Sequence, residues 1–415
     1  MHVDDASSPA NATGHTEAGV DHDAHAEQTA QAEQAAASQT RDKGGWRAAF
    51  DKERAGKWML TLGVLMFAFF AFLPAPYVIS SPGPAFNAVG NAKITVDGQE
   101  HEQDVISISG AEEYEPDAGQ IFVMTVNVAG NPESQPRWFE VMSAWLDPSR
   151  DVKPVELYYP EGVTTEQRNQ RTTQMMLEAQ DTAIAAALSE LGYDIEEEIV
   201  VGEVLDSSAA KGILQPGDKI IAVGDEQVAT METPGKFHLE AKPTVVEFER
   251  DGKRQRETIT PTLMETSEGQ RPMLGITLQY SLKFPVDINI ELGEVGGPSA
   301  GLAFALSIYD LMTPDNLTKG KNVAATGTIT PDGEVGGIGG VRQKFHAAVE
   351  VGADYFLVPE SNCAEAIGSG APTDIPVYAI RDLDEALQTV KSLGEDSETG
   401  VRTCKQAVDA GIPQE

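Results

Sequence analysis

A serine lies in the middle of a bend of glycine and proline, in the segment Gly297-Pro298-Ser299-Ala300-Gly301. Glycine and proline in this arrangement favour a tight turn, and the largely apolar run 302–311 that follows has the character of a helix. The segment therefore predicts a bend that opens into a helix, with the serine hydroxyl at the bend. An ordinary turn before a helix has the same pattern, so the serine alone does not decide a function.

A lysine follows a second glycine-rich segment, Gly339-Gly340-Val341-Arg342-Gln343-Lys344. A serine hydroxyl is a poor nucleophile until a base takes its proton, and a lysine amine can be that base when burial lowers its pKa. A free lysine has a pKa of about 10.4, which must fall to roughly 7–8 for base catalysis near neutral pH. Ser299 and Lys344 are therefore the candidate catalytic residues.

Both segments, together with Ala325-Thr326-Gly327-Thr328, the stretch 333–340 and the alanine pair after Lys344, resemble the proteolytic domain of the Lon peptidase family. The resemblance is close over roughly 274–359. It implies Ser299 as the nucleophile, Lys344 as the general base and Thr326 as a neighbouring hydroxyl. It also implies that the remaining bend residues, Gly297, Pro298 and Ala300, support the site. Backbone N–H groups around Gly297 to Ala300 are the expected oxyanion donors.

Composition and absent motifs exclude several other classes of protein. The net charge is −35 over 415 residues, and a surface this acidic, without a basic stripe, repels nucleic-acid phosphates. The sequence contains no Gly-x4-Gly-Lys-Ser/Thr phosphate loop and no His-Glu-x-x-His zinc motif, so neither ATP hydrolysis nor zinc chemistry has support. We expect peptide or protein substrates, no cofactor, no metal, no ATP and no nucleic acid.

The N-terminal part of the sequence predicts a membrane anchor. Residues 1–40 are polar and predict disorder, whereas Trp58 to Leu73 is an uninterrupted apolar run. With residues 75–79 at the interface, we expect a transmembrane helix over 58–79. Basic residues precede this run and none follows it closely, which places the N-terminus in the cytoplasm and the catalytic domain outside it. The alternatives are a cleaved signal peptide and a buried core helix.

The segment 196–263 has short strands and turns in an order that resembles a bacterial PDZ domain. Its hallmark is the stretch Gly212 to Ile220, and PDZ domains bind an extended peptide as an added strand. The candidate peptide-binding residues are Gly212, Ile213, Leu214, Gly217 and Asp218. The alternative is a spacer that binds nothing. Because the resemblance to Lon peptidases resumes after it, we interpret the segment as an insertion in the proteolytic domain.

The sequence contains two cysteines, Cys363 and Cys404. Outside the cytoplasm an even count suggests one disulfide, which would join the last segment to the rest of the domain. Two free thiols are the alternative.

The sequence as a whole predicts an α+β fold: a Lon-type proteolytic domain with an inserted PDZ-like module and one transmembrane helix. The expected segments are a cytoplasmic tail (1–57), the helix (58–79), the two parts of the proteolytic domain (80–195 and 264–395), the PDZ-like module (196–263) and a C-terminal segment (396–415). The full arrangement resembles membrane-anchored bacterial serine endopeptidases that act without ATP, and an oligomer is possible. Two alternatives are a non-catalytic PDZ scaffold and a small-molecule kinase with a phosphate-binding loop.

Overall fold

The computed structural model describes residues 52–96, 99–114, 118–160, 162–228, 239–266, 269–293, 295–371 and 375–414. The chain divides into two compact units, 1–72 and 73–415. Residues 1–40, for which the sequence predicts disorder, lie outside the described residues.

The helices are, in chain order, α1 (Lys52–Ala71), α2 (Trp138–Trp145), α3 (Val155–Tyr158), α4 (Thr165–Glu190), α5 (Gly301–Leu311), α6 (Val341–Glu350), α7 (Cys363–Ile367), α8 (Leu383–Gly394) and α9 (Cys404–Asp409).

The strands are, in chain order, β1 (Tyr77–Asn87), β2 (Asn91–Val96), β3 (Gln99–Asp104), β4 (Ile106–Ser109), β5 (Gln120–Ala129), β6 (Asp151–Pro154), β7 (Glu196–Val204), β8 (Lys219–Val223), β9 (Glu226–Gln227), β10 (Thr244–Arg250), β11 (Lys253–Ile259), β12 (Thr262–Thr266), β13 (Gly269–Met273), β14 (Ile276–Lys283), β15 (Asp287–Ile290), β16 (Asn322–Ala325), β17 (Thr328–Ile329), β18 (Val335–Gly336), β19 (Tyr355–Pro359) and β20 (Val377–Ile380).

The prediction of a transmembrane helix over 58–79 is wrong. Among the described residues, no helix combines the length and the apolar character needed to cross a membrane. Helix α1 begins in the charged segment at Lys52 and ends at Ala71, so its apolar part from Trp58 rises only about 21 Å, against a hydrocarbon core of about 30 Å. Residues 77–79, which the prediction gave to the membrane, belong instead to β1, where Val78 and Ile79 are buried.

A six-stranded sheet in the order β20-β19-β16-β5-β1-β6 forms the centre of the unit 73–415. The strands from β20 to β5 are parallel, β1 pairs with β5 in antiparallel orientation, and β6 pairs with β1 in antiparallel orientation. In β5, Ile121 and Val123 belong to the core with α4, α5 and α8, whereas Phe122 and Met124 belong to the core with α6, α7 and α9. The run of apolar residues from Ile121 to Met124 therefore reflects a strand that is buried on both faces.

Local hydrogen bonds define the N-terminal end of helix α4. Gln167 N–H donates to Thr164 Oγ1, and Thr164 N–H donates to Gln167 Oε1, both at 3.1 Å. These two bonds form a capping box, which satisfies N–H groups that the first turn leaves without an intrahelical partner. The buried face of the helix contains Met176, Ala179 and Ala183.

A second sheet, in the order β11-β10-β8-β7-β14 with β9 beside β8, encloses a separate core that includes Val201, Leu214 and Phe248. Strand β7 follows α4 directly, and β14 leads toward β15 and the Ser299 bend. The two strands pair from Val204 with Ile276 to Glu196 with Lys283. The sheet therefore extends past residue 263, and the domain limits drawn from the sequence stay predictions.

Cys363 and Cys404 form a disulfide that joins α7 to α9, and both residues are buried. The bond lies in the core beneath α6.

Asp310 is a buried acid on α5, only 2% exposed. Its Oδ1 accepts a hydrogen bond from Leu317 N–H at 2.7 Å, while Oδ2 has no partner among the described residues. Burial raises the pKa of this carboxyl from 3.8 to about 6, because desolvation disfavours the charged form.

The raised pKa of Asp310 predicts a pH-dependent effect of Asp310→Asn on stability. The folded protein binds this proton more tightly than the unfolded chain, so ionisation destabilises the fold as the pH rises through about 6. The variant should therefore be more stable at pH 8 by at most about 3 kcal/mol, and this gain should disappear toward pH 4. Urea unfolding across this range measures the difference. Asp332→Asn, at an exposed position, is the control, and a gain that does not vary with pH would contradict the assignment.

Candidate active site

Ser299 lies at the bend before α5, as the sequence predicts. Gly297 adopts a φ of 96°, a left-handed conformation that favours glycine, and its N–H donates to Thr172 O of α4 at 2.9 Å. Gly301 lies where an added Cβ would be 2.9 Å from the side chain of Ile329. The two glycines therefore allow the bend to turn sharply and α5 to approach β17 closely.

The carbonyl oxygen of Ser299 is fixed to the end of β16. It accepts hydrogen bonds from Gly327 N–H at 3.0 Å and from Thr326 Oγ1 at 2.9 Å. Leu302 N–H in turn donates to Gly327 O at 3.1 Å. These bonds hold the backbone of the serine in one position relative to the central sheet.

Lys344 extends from the first turns of α6 into the interior, with its side chain 2% exposed. Its Nζ lies 2.6 Å from Ser299 Oγ and 2.9 Å from Thr326 Oγ1. No carboxylate lies within ion-pair distance of this amine among the described residues. Ser299 and Lys344, which are 45 positions apart in sequence, thus lie within hydrogen-bond distance of each other.

Burial lowers the pKa of Lys344 from 10.5 to about 7. Desolvation is the cause, because a buried ammonium without an anionic partner loses its hydration and gains no compensating charge. A large part of the amine is therefore neutral near pH 7 and has a lone pair that can accept the Ser299 proton.

Thr326 orients the amine. Its hydroxyl hydrogen is used in the bond to Ser299 O, so its oxygen accepts from Lys344 Nζ. Thr326 is itself completely buried, and its N–H donates to Leu357 O in β19. The threonine therefore holds the lysine against the serine without competing for the lysine lone pair.

The backbone donors beside Ser299 are not equivalent. Gly297 N–H is already bonded to Thr172 O, and Pro298 has no N–H. The N–H groups of Ser299 and Ala300 have no partner in the part of the chain that the structure describes. Of the predicted oxyanion donors, only the N–H groups of Ser299 and Ala300 are therefore available.

A cavity of about 520 Å³ opens at Ser299 and Lys344. Phe86, Met124, Met176 and Leu292 contribute apolar walls. One side is β5 from Met124 to Val128. There β5 pairs with β1, while its other neighbour, β16, pairs only from Gln120 to Val123. The cavity is thus a groove with apolar walls along a strand edge whose backbone groups have no pairing strand on that side among the described residues.

The predicted peptide-binding residues of the second sheet make contacts within that sheet. Asp218 is 1% exposed and forms an ion pair with Arg250 at 2.6 Å, and Leu214 is buried in the local core. The N–H groups of Ile213, Leu214, Gly217 and Asp218 all donate to backbone carbonyls nearby. A role of these residues and of Gly212 in peptide binding stays a prediction.

Two features of the site are not apparent from sequence reasoning. Thr172, which holds the serine bend, lies on a helix whose polar face carries no motif. The free edge of β5 depends on where β16 ends. The only sequence signal for it is the contrast between the long apolar-rich run of β5 and the four residues of β16.

Comparison with known proteins identifies two regions. Residues 274–391 match the model of the Lon protease (S16) C-terminal proteolytic domain, and residues 175–240 match that of the PDZ domain. Ser299, Thr326 and Lys344 lie within the first region. The predicted presence of both kinds of domain is confirmed.

Curated relatives match the same proteolytic region. Lon protease 2 of Herpetosiphon aurantiacus is 36% identical over 108 residues, which is 25% of this chain and 13% of that protein. Lon protease of Wolbachia pipientis subsp. Culex pipiens is 32% identical over 138 residues, 31% of this chain and 17% of that protein. The chain thus spans less than a fifth of the length of these relatives.

Among solved structures, the PDZ domain of an SdrC-like protein from Listeria innocua matches with 20% identity and a TM-score of 0.18, covering 20% of this chain and 92% of that one. The family matches and the Lon relatives support a serine peptidase.

The lowered pKa of Lys344 predicts the pH dependence of peptide cleavage. Only the neutral amine accepts the serine proton, so kcat/KM should rise with pH, reach half its maximum near pH 7 and level off above about pH 8. A fluorogenic peptide without titratable side chains separates this rise from changes in the substrate. A rate that is constant from pH 5.5 to 9, or that falls as the pH rises through 7, would be inconsistent with the lysine as base.

Proposed function

We propose that this chain is a serine endopeptidase that cleaves extended or unfolded polypeptides without ATP, through Ser299 and Lys344. The observation that carries the proposal is the 2.6 Å contact between Ser299 Oγ and the amine of a buried lysine without an anionic partner. The matching proteolytic region contains both residues.

The reaction follows from this geometry. Ser299 Oγ attacks the carbonyl carbon of a peptide bond while Lys344 Nζ takes the hydroxyl proton. The N–H groups of Ser299 and Ala300 stabilise the negative oxygen of the tetrahedral intermediate. Lys344 then gives the proton to the departing amine, which leaves an ester on Ser299. Water, deprotonated by the same lysine, hydrolyses that ester and restores the serine hydroxyl.

The shape of the groove supports an extended substrate. The free edge of β5 from Met124 to Val128 offers backbone N–H and C=O groups to a strand laid beside it. The apolar wall of Phe86, Met124, Met176 and Leu292 fits an apolar side chain near the cleaved bond. Folded proteins cannot enter such a groove, so we propose flexible or unfolded segments as substrates, with the PDZ region guiding their selection.

We further propose that the proteolytic region works in an oxidising compartment outside the cytoplasm. The support is the buried disulfide between Cys363 and Cys404, since such bonds persist mainly where thiols are not kept reduced.

Substitution of either catalytic candidate should abolish cleavage. Ser299→Ala and Lys344→Ala should each lower kcat/KM by about 10³-fold or more. Lys344→Arg should fail as well, because arginine keeps its proton at the working pH. A fluorogenic apolar peptide incubated without nucleotide is the assay, and circular dichroism checks that each variant folds. The exposed Ser189→Ala and Lys391→Arg are matched controls that should keep full activity.

Full activity in Lys344→Arg would show that Lys344 is not the general base. Absence of turnover by the unaltered chain, with peptide binding retained, would favour a non-catalytic scaffold.

The state of the two cysteines tests the proposed compartment. Cells that express the chain are alkylated without reduction, and the peptides that contain Cys363 and Cys404 are measured by mass spectrometry. We expect neither thiol to be labelled, whereas the same chain made in a reducing cytoplasm should be labelled at both. Full labelling in the native host would argue for a reducing compartment.

A further inference from the structure

A second cavity adjoins the groove at Ser299. Its volume is about 450 Å³, and it shares Val126, Val128 and Gly339 with the first. We call it the distal cavity. Polar and charged side chains from β1, β6, α3, α7 and the start of α6 line it together with two valines of β5. A chain that follows the free edge of β5 would run from one cavity into the other.

Two donors on the wall of the distal cavity lack partners. The side chain of Gln343 is 2% exposed, and its Nε2 makes no hydrogen bond within the described residues. The guanidinium of Arg342 is partly buried and has neither an ion pair nor a hydrogen bond there. A buried amide donor without an acceptor costs stability, so a group that brings an acceptor to Gln343 Nε2 from the cavity would relieve that cost.

The other polar groups of this wall are already paired. Lys153 forms an ion pair with Asp151 at 3.0 Å, and the hydroxyls of Ser80 and Tyr158 lie 2.9 Å apart. Glu365 Oε1 accepts from the backbone N–H of Arg342 at 3.3 Å. The charged side chains of this wall are two acids, Asp151 and Glu365, and two bases, Lys153 and Arg342, so its formal charge is balanced. The groups that lack a hydrogen-bond partner among the described residues are the donors of Arg342 and Gln343.

The backbone of α6 adds a positive partial charge beside these donors. Helix α6 begins at Val341 and has no acidic residue in its first turn. Its N-terminal end therefore directs a positive partial charge toward the region where Arg342 and Gln343 lie, and the Glu365 carboxylate already accepts one of its N–H groups there.

We propose that the distal cavity is a substrate subsite that binds a side-chain carboxylate. Arg342 provides the counter-charge and Gln343 provides a hydrogen-bond donor. The inference rests on the proposed peptidase function and adds a specificity to it: a substrate is cut preferentially when an acidic residue lies a fixed distance from an apolar residue at the cleaved bond. An arginine fork binds a carboxylate through two parallel hydrogen bonds, which an uncharged amide side chain cannot reproduce.

The test is a peptide series cleaved by the full chain. One glutamate is moved through successive positions on both sides of the cleaved bond, and each peptide is paired with one that has glutamine at the same position. The measured quantity is the ratio of kcat/KM for the glutamate peptide to that for its glutamine partner. We expect a ratio of about ten at one position away from the cleaved bond and about one elsewhere.

Variants then assign the preference to the cavity. Arg342→Gln should reduce the ratio to about one, Arg342→Lys should keep part of it, and Gln343→Met should lower it about threefold. Arg342→Glu should favour a lysine at the same position. Arg254→Gln removes the same charge from an arginine that is 68% exposed on the second sheet, and it should keep the full ratio. Unchanged kcat/KM of Arg342→Gln for the glutamine peptides shows that its loss of the ratio is not a failure to fold.

The outcomes separate the two proposals. Ser299-dependent cleavage with a ratio near one at every position would overturn the subsite and leave the peptidase function intact. An unchanged ratio in Arg342→Gln would also overturn the subsite. Absence of cleavage of every peptide would overturn the peptidase function, and the subsite with it.

Discussion

The buried amine of Lys344 is the constraint on which the site depends. An ammonium removed from water without a counter-ion is unstable, so the amine is held near its neutral form and can act as a base. Keeping it there requires a dry environment and partners that do not carry charge. The hydroxyls of Ser299 and Thr326 meet both requirements. A carboxylate at the same place would raise the pKa of the lysine and remove its capacity to accept a proton.

The short strand β16 explains two properties of the site at once. It pairs with β5 only from Asn322 to Ala325. The chain then leaves the sheet at Thr326, whose hydroxyl reaches the Ser299 carbonyl. Because β16 ends there, the rest of β5 keeps an open edge beside the nucleophile. The same departure of the chain thus fixes the serine and exposes the strand along which a substrate can lie.

Helix α4 connects the serine bend with the second sheet. Its Thr172 accepts from Gly297 N–H, Gln180 donates to Ile290 O at 3.3 Å, and its end leads into β7. Strand β14, paired with β7, returns the chain toward β15 and the bend. The two ends of the second sheet therefore lie side by side, which is the geometry that lets a chain accommodate a long additional segment without disturbing its core.

The local features of this protein can be predicted from its amino-acid sequence. The Gly-Pro-Ser bend, the capped helix α4 and the apolar strand β5 follow from short-range preferences that each segment carries within itself. The lysine could be named from its motif, and the motif also indicated Thr326. The prediction of a membrane helix is wrong because an apolar run does not show where a helix ends. Residues 77–79 gain more from pairing with β5 and β6 than from continuing α1.

Other properties of the site arise from contacts between residues that are distant in sequence, and these appear only in the tertiary structure. The pKa of Lys344 results from complete burial, which α6 acquires by packing on the sheet. The loss of Gly297 as an oxyanion donor results from a carbonyl on another helix. The open edge of β5 and the unpaired donors at Arg342 and Gln343 are defined by partners that are absent nearby among the described residues. A sequence states which groups a residue carries. Whether those groups find partners depends on the packing of segments that lie far apart along the chain.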